Sequence, residues 1–100
     1  MRNFHKFPIL CDLDGVIWLA HQGIAGSADA VERFRQAGHR VLFVTNNSWS
    51  TQEEQVAALA DVGINAAGDI VTSAMAGASL VQGGQRVLVC GGPGIEQALQ

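Results

Sequence analysis

One hundred residues, 48% hydrophobic and 15% charged, suit one small globular domain and are too apolar for a disordered chain. The formal net charge is −3 and the six Lys and Arg residues are scattered singly, which leaves no basic stripe for nucleic acid and no polybasic segment for an anionic membrane. Asp12 interrupts the first apolar stretch before a signal-peptide core or membrane span can form, and Cys11 and Cys90 each close an apolar run, as buried free thiols do in a reducing compartment, so a cytoplasmic protein is expected.

Residues 8–13 (PILCDL) are apolar at nearly every position, the pattern of a strand covered on both faces. Gly15, Gly23 and Gly26 then mark a loop. In SADAVERFRQAG, Ser27 is expected as the N-cap of a helix that sets Ala30, Val31, Phe34 and Ala37 on one stripe and ends at Gly38. RVLFVTNNS repeats the first design, an apolar strand at 40–45 opening into polar residues. Thr51 with Glu54 forms a capping-box pattern starting a helix through about residue 62, and Gly63 ends it. DIVTS precedes a third helix at about 73–82. Gly83 and Gly84 lead to RVLVC, another apolar strand, then to GGPG and the beginning of a further helix inside which the chain stops.

Apolar strands alternating with helices predict an α/β fold, a parallel sheet with helices on both faces, in one domain or part of one. Ligands of such sheets lie beyond the carboxyl ends of the strands. The polar residues obey that rule: Asp12 and Asp14, then Thr45 and Asn46, then Gly91 and Gly92 follow the last apolar residues of their strands.

Asp12 and Asp14 start as neighbours on one face of an extended chain unless the backbone turns between them. Two carboxylates sharing a site either hold a cation or share a proton. Asp12 as a nucleophile toward phosphorus needs charge neutralised, which Mg²⁺ supplies, and Asp14 can protonate the leaving oxygen and later take a proton from water. Gly15 lets the chain turn and brings a bare amide near the phosphate. Thr45 offers a hydroxyl and Asn46 a backbone N–H to the phosphoryl oxygens.

Asp12-Leu13-Asp14-Gly15-Val16 resembles the first motif of the haloacid-dehalogenase-like hydrolases, and Thr45-Asn46-Asn47-Ser48 resembles their second. CDLDGVIW, with TNNS and TSAMA, is similar to the branch containing 4-nitrophenylphosphatases, phosphoglycolate phosphatases and sugar-phosphate phosphatases, over essentially the whole chain. The resemblance implies a Rossmann-like core, with Asp12 as nucleophile and Mg²⁺ ligand and Asp14 as general acid/base holding the metal through its main-chain carbonyl. Thr45 and Asn46 would hold the phosphoryl group of a small phosphorylated metabolite. Members also carry a screening lysine, a further acidic motif and a large cap. Lys6 is the only lysine and precedes the first strand, so residues 1–100 resemble the amino-terminal part of such a core, without its cap and second half.

Two alternatives stand beside the phosphatase. A receiver-like phosphoacceptor domain would place its aspartate at a later strand end, where this chain has Thr45 or Cys90. A truncated product would bind phosphate or metal weakly, and its open sheet edge would invite self-association. Trp18 is read as packing for the loop after Asp14, and His21 as a solvated loop histidine, with His5 and His39 weaker still. Asn47 and Ser48 stay open between a turn and a substrate contact, and GGPG is read as a tight turn into a helix.

Overall fold

The computed structural model describes residues 6–20 and 22–100, which places His5 and His21 outside the described residues. Strand β1 (Ile9–Asp12) is followed by a small antiparallel pair, β2 (Trp18–Leu19) and β3 (Gln22–Gly23), and by helix α1 (Ser27–Gln36). Then come β4 (Val41–Thr45), α2 (Gln52–Asp61), β5 (Ile70–Thr72), α3 (Ser73–Ala78) and α4 (Pro93–Ala98). Helices α1 and α2 serve as crossovers, so β1, β4 and β5 form a parallel sheet in the order β1-β4-β5. The register sets Asp12 opposite Val44 and Thr45 opposite Thr72. All three strands therefore end at one rim.

The side chains of β4 alternate. Val41, Phe43 and Thr45 are buried, and Phe43 and Leu59 of α2 are sealed from solvent within a core that includes Leu13, Ile17, Trp18, Val31, Ile64 and Ile70. Burying a side chain such as Phe43 stabilises the fold by about 1.5–3 kcal/mol. On the opposite face Leu42 and Val44 are half-buried, while Leu10 is 67% and Val71 39% exposed. The parallel α/β architecture is the expected one, but α1 and α2 cover a single face. Among the described residues β1 pairs with β4 alone, which leaves its outer edge open.

Helix α1 departs from its expected details. Gly26, with φ at 85°, is the N-cap, because the Ser27 hydroxyl donates to the Ile17 carbonyl at 3.2 Å and ties down the preceding loop instead. The inward stripe is Ala28, Val31 and Arg35, while Ala30 and Ala37 are exposed and Phe34 is 45% exposed. Arg35 takes its core-facing place by laying its guanidinium 5.8 Å from the Phe43 ring centre and pairing with Asp69 at 3.6 Å. Asp69 also accepts from Arg40 Nε at 2.9 Å, so one carboxylate joins α1 to the starts of β4 and β5.

Helix α2 forms as expected, with both halves of the Thr51–Glu54 capping box present. Helix α3 is shorter than the span of about ten residues expected. It ends at Ala78, where Leu80 and Val81 close successive turns on Gly77 and Ala78. The run RVLVC is no strand: no described residue pairs with it, Leu88 is 89% exposed, and Cys90 is exposed rather than buried. An apolar run becomes a strand only where an edge offers hydrogen bonds, and this one meets none. The GGPG turn does lead into a helix, with Gly92 as N-cap and Pro93 in the first turn. Its glycines are there for proximity. A Cβ on Gly92 would enter the Trp49 ring, and one on Gly94 would collide with the Ser48 and Ser50 carbonyls. No helix among the described residues is long and apolar enough to cross a membrane.

Candidate active site

At the end of β1 the chain turns sharply. The Leu13 carbonyl accepts from the amides of Val16 (3.2 Å), Ile17 (2.9 Å) and Trp18 (3.3 Å), and the Gly15 amide donates to the Trp18 carbonyl at 2.8 Å. Gly15 sits at φ +83°, a conformation that a side chain would strain. Asp12 ends β1, while Asp14 lies inside the turn that follows. Gly15 therefore supplies the bend, and its amide, expected beside a phosphate, is committed to Trp18.

Asp12 and Asp14 are both exposed. Asp12 Oδ1 accepts from the Leu13 amide at 2.8 Å, and Asp14 Oδ1 accepts from the Trp18 indole Nε1 at 3.0 Å. Each keeps Oδ2 without a hydrogen-bond partner among the described residues. Beside them, burial first and the Asp12 charge second push the Cys11 thiol above its ordinary range.

Strand β4 brings the second group. Thr45 is 8% exposed, and its Oγ1 accepts from the Asn47 amide at 3.1 Å, which leaves the hydroxyl proton free to donate elsewhere. Asn46 is exposed, and its carbonyl accepts from the Ser73 hydroxyl at 3.1 Å. Asn47 folds back: its Oδ1 accepts from the amides of Trp49 and Ser50, so the open question over Asn47 resolves as a turn. Gly94 then donates its amide to the Trp49 carbonyl at 2.8 Å, seating α4 on that turn.

Asp12, Asp14, Thr45 and Asn46 line one cavity of about 570 Å³ at the strand ends, together with Val44, Val71, Thr72, Ser73 and Ala76. Gly15 is not among its lining residues, and Gly91 and Gly92 belong to the α4 turn. Sequence reasoning missed the β5–α3 wall of the cavity and the Trp18 bond. The four-residue spacing from Asp14 to Trp18 was the available signal, since one tight turn brings such positions together. No group of three or more His, Cys, Asp or Glu side chains gathers around a metal position among the described residues.

Residues 9–100 match the family model described as haloacid dehalogenase-like hydrolase. The D-glycerol 3-phosphate phosphatase of Mycobacterium tuberculosis is 41% identical over 88 residues, covering 83% of this chain and 24% of the relative. The acid sugar phosphatase of Staphylococcus saprophyticus is 35% identical over 103 aligned positions, 99% of this chain and 39% of the relative. Among solved structures, a glycerol phosphate phosphatase from Mycobacterium tuberculosis in complex with magnesium superimposes with a TM-score of 0.81 at 32% identity, over 96% of this chain and 30% of that one. The chain thus spans between about a quarter and two-fifths of the length of these proteins.

Proposed function

Because this chain belongs to the haloacid dehalogenase-like hydrolases, we propose that it carries the nucleophile and the acid/base group of a Mg²⁺-dependent phosphomonoesterase working through an aspartyl-phosphate. The observation that carries this is the convergence of Asp12, Asp14, Thr45 and Asn46 on one cavity from two adjacent strand ends.

The donor set fits a hard cation: two carboxylates line the cavity, each with Oδ2 unpartnered, and the Asp14 main-chain carbonyl takes no hydrogen bond among the described residues. Asp12 and the Asp14 carbonyl would hold Mg²⁺, which supplies charge neutralisation for nucleophile and phosphate. Asp12 Oδ2 attacks phosphorus as the bond to the ester oxygen breaks, and Asp14 gives that oxygen its proton. Asp14 then removes a proton from the water that attacks the aspartyl-phosphate, releasing phosphate and restoring Asp12. The Thr45 hydroxyl and the Asn46 amide donate to the phosphoryl oxygens, in line with the free hydroxyl proton and with an Asn46 N–H that no described residue accepts.

The substrate we propose is a small phosphorylated metabolite, a polyol or sugar phosphate, the class named for the relatives. Two free thiols suit a cytoplasmic setting. The test is Mg²⁺-dependent hydrolysis of 4-nitrophenyl phosphate and glycerol 3-phosphate by the wild type and by Asp12→Asn. Abolished turnover in Asp12→Asn is expected. Turnover retained in that variant overturns the covalent mechanism.

A further inference from the structure

We infer that Trp18 is a positioning residue for Asp14, an inference that rests on the acid/base role proposed above. Trp18 is 3% exposed and belongs to the core that includes Leu13 and Ile17, whereas Asp14 is exposed at the cavity. A buried indole has one N–H and nothing else to donate, and here that N–H points at Asp14 Oδ1 over 3.0 Å. The main chain fixes both ends. The Trp18 amide donates to the Leu13 carbonyl and the Trp18 carbonyl accepts from Gly15, so the ring and the carboxylate are held across the same closed turn.

An exposed carboxylate otherwise rotates freely. With Oδ1 tied to the indole by a charge-assisted bond, Oδ2 is the oxygen left without a hydrogen-bond partner among the described residues. The same bond decides where a proton sits. The carbonyl oxygen of a carboxylic acid is the better acceptor, so the indole N–H on Oδ1 favours the proton of protonated Asp14 on Oδ2, the oxygen with no hydrogen-bond partner among the described residues. Trp18 thereby orients the acid for transfer without touching substrate.

Trp18→Phe keeps most of the ring bulk and removes the N–H. The expected result depends on the leaving group. For glycerol 3-phosphate, whose alkoxide must be protonated to depart, kcat/KM should fall on the order of 10-fold to 100-fold. For 4-nitrophenyl phosphate, whose phenolate leaves unprotonated, it should fall less than about 3-fold. In an Asp14→Asn background Trp18→Phe should add no further loss. A second measurement needs neither turnover nor a folded Trp18 variant. Asp14→Ala should move the indole N–H resonance of Trp18 and speed its exchange with solvent while leaving that of Trp49 in place. Equal penalties on both esters, fully additive losses, or an indole resonance indifferent to Asp14→Ala overturn the proposal. Failure of the phosphatase reading shows itself separately, as turnover that survives Asp12→Asn, and the indole measurement still decides the Trp18–Asp14 pair.

Discussion

The Thr45 Oγ1 accepts from the Asn47 amide, and its O–H has no acceptor among the described residues, so the proton is available to a phosphoryl oxygen. Thr45→Ser should therefore be mild, while Thr45→Ala should cost turnover on the order of 10²–10³, the loss typical of one transition-state donor. If the two variants lose activity equally in a phosphatase assay, the hydroxyl is not the relevant group. Cys11 makes a prediction about pH. Its thiol titrates higher in the folded chain than in the unfolded one, chiefly through burial and secondarily through Asp12. The stability this contributes is fully present below the ordinary thiol range and is lost as pH rises through the raised value. Urea unfolding of the wild type should weaken across that alkaline window more than unfolding of Cys11→Ala. Equal alkaline slopes would remove Cys11 from the account. At this scale the carboxylates and Thr45-Asn46 were legible because they follow apolar runs directly. The fate of the Gly15 amide was not, since the turn that consumes it is closed by Trp18, three residues on.

Among elements, α2 is the one whose sequence states its own boundaries. Thr51→Ala removes the acceptor for the Glu54 amide and should lower stability by about 1 kcal/mol in thermal or urea unfolding, within the usual range for lost N-caps. Helix α4 is tied to the same helix start: Gln97 Oε1 accepts from the Gln52 amide at 2.9 Å, and its Nε2 donates to Glu53. That side-chain bond is the main reason Glu53 lies below the ordinary carboxylate range. Its stabilisation is present above that range and lost as pH falls through the lowered value, so Gln97→Ala should unfold with a flatter acid limb than the wild type. A pattern of apolar letters found β1, β4 and α2, and marked DIVTS, where β5 lies, only as the run before the third helix. It misplaced the α1 stripe because Arg35 covers the Phe43 ring as an apolar residue would. It also made a strand of RVLVC, because composition carries no information about whether an edge waits for the run.

Across the whole molecule, protection from solvent should follow the hydrogen bonds rather than hydrophobicity. No amide from Arg86 to Gly92 donates to a described acceptor, whereas β4 is bonded on both sides. Amide hydrogen exchange should find residues 86–91 close to the unprotected rate and β4 among the slowest. Comparable protection in the two would mean that RVLVC is paired in solution. The fold class and the rim that holds the candidate site were legible from strand–helix alternation alone. An uncovered apolar face on the first strand was expected as well, and Leu10 shows it, whereas the exposure of Val71 on β5 was not, because the apolar pattern states a need for cover without saying which element meets it.

The unladdered segment also carries Cys90, exposed, while Cys11 is half-buried with its thiol pushed up. Thiol-directed dyes react with accessible thiolate, so at neutral pH a maleimide fluorophore should attach at Cys90 well before Cys11. Peptide mapping after a single equivalent checks this. The chain then bears, with no engineering, a lone fluorescent reporter two residues from the cap of α4, suited to recording whether that helix stays seated on the turn behind Asn46 when phosphate or Mg²⁺ is added.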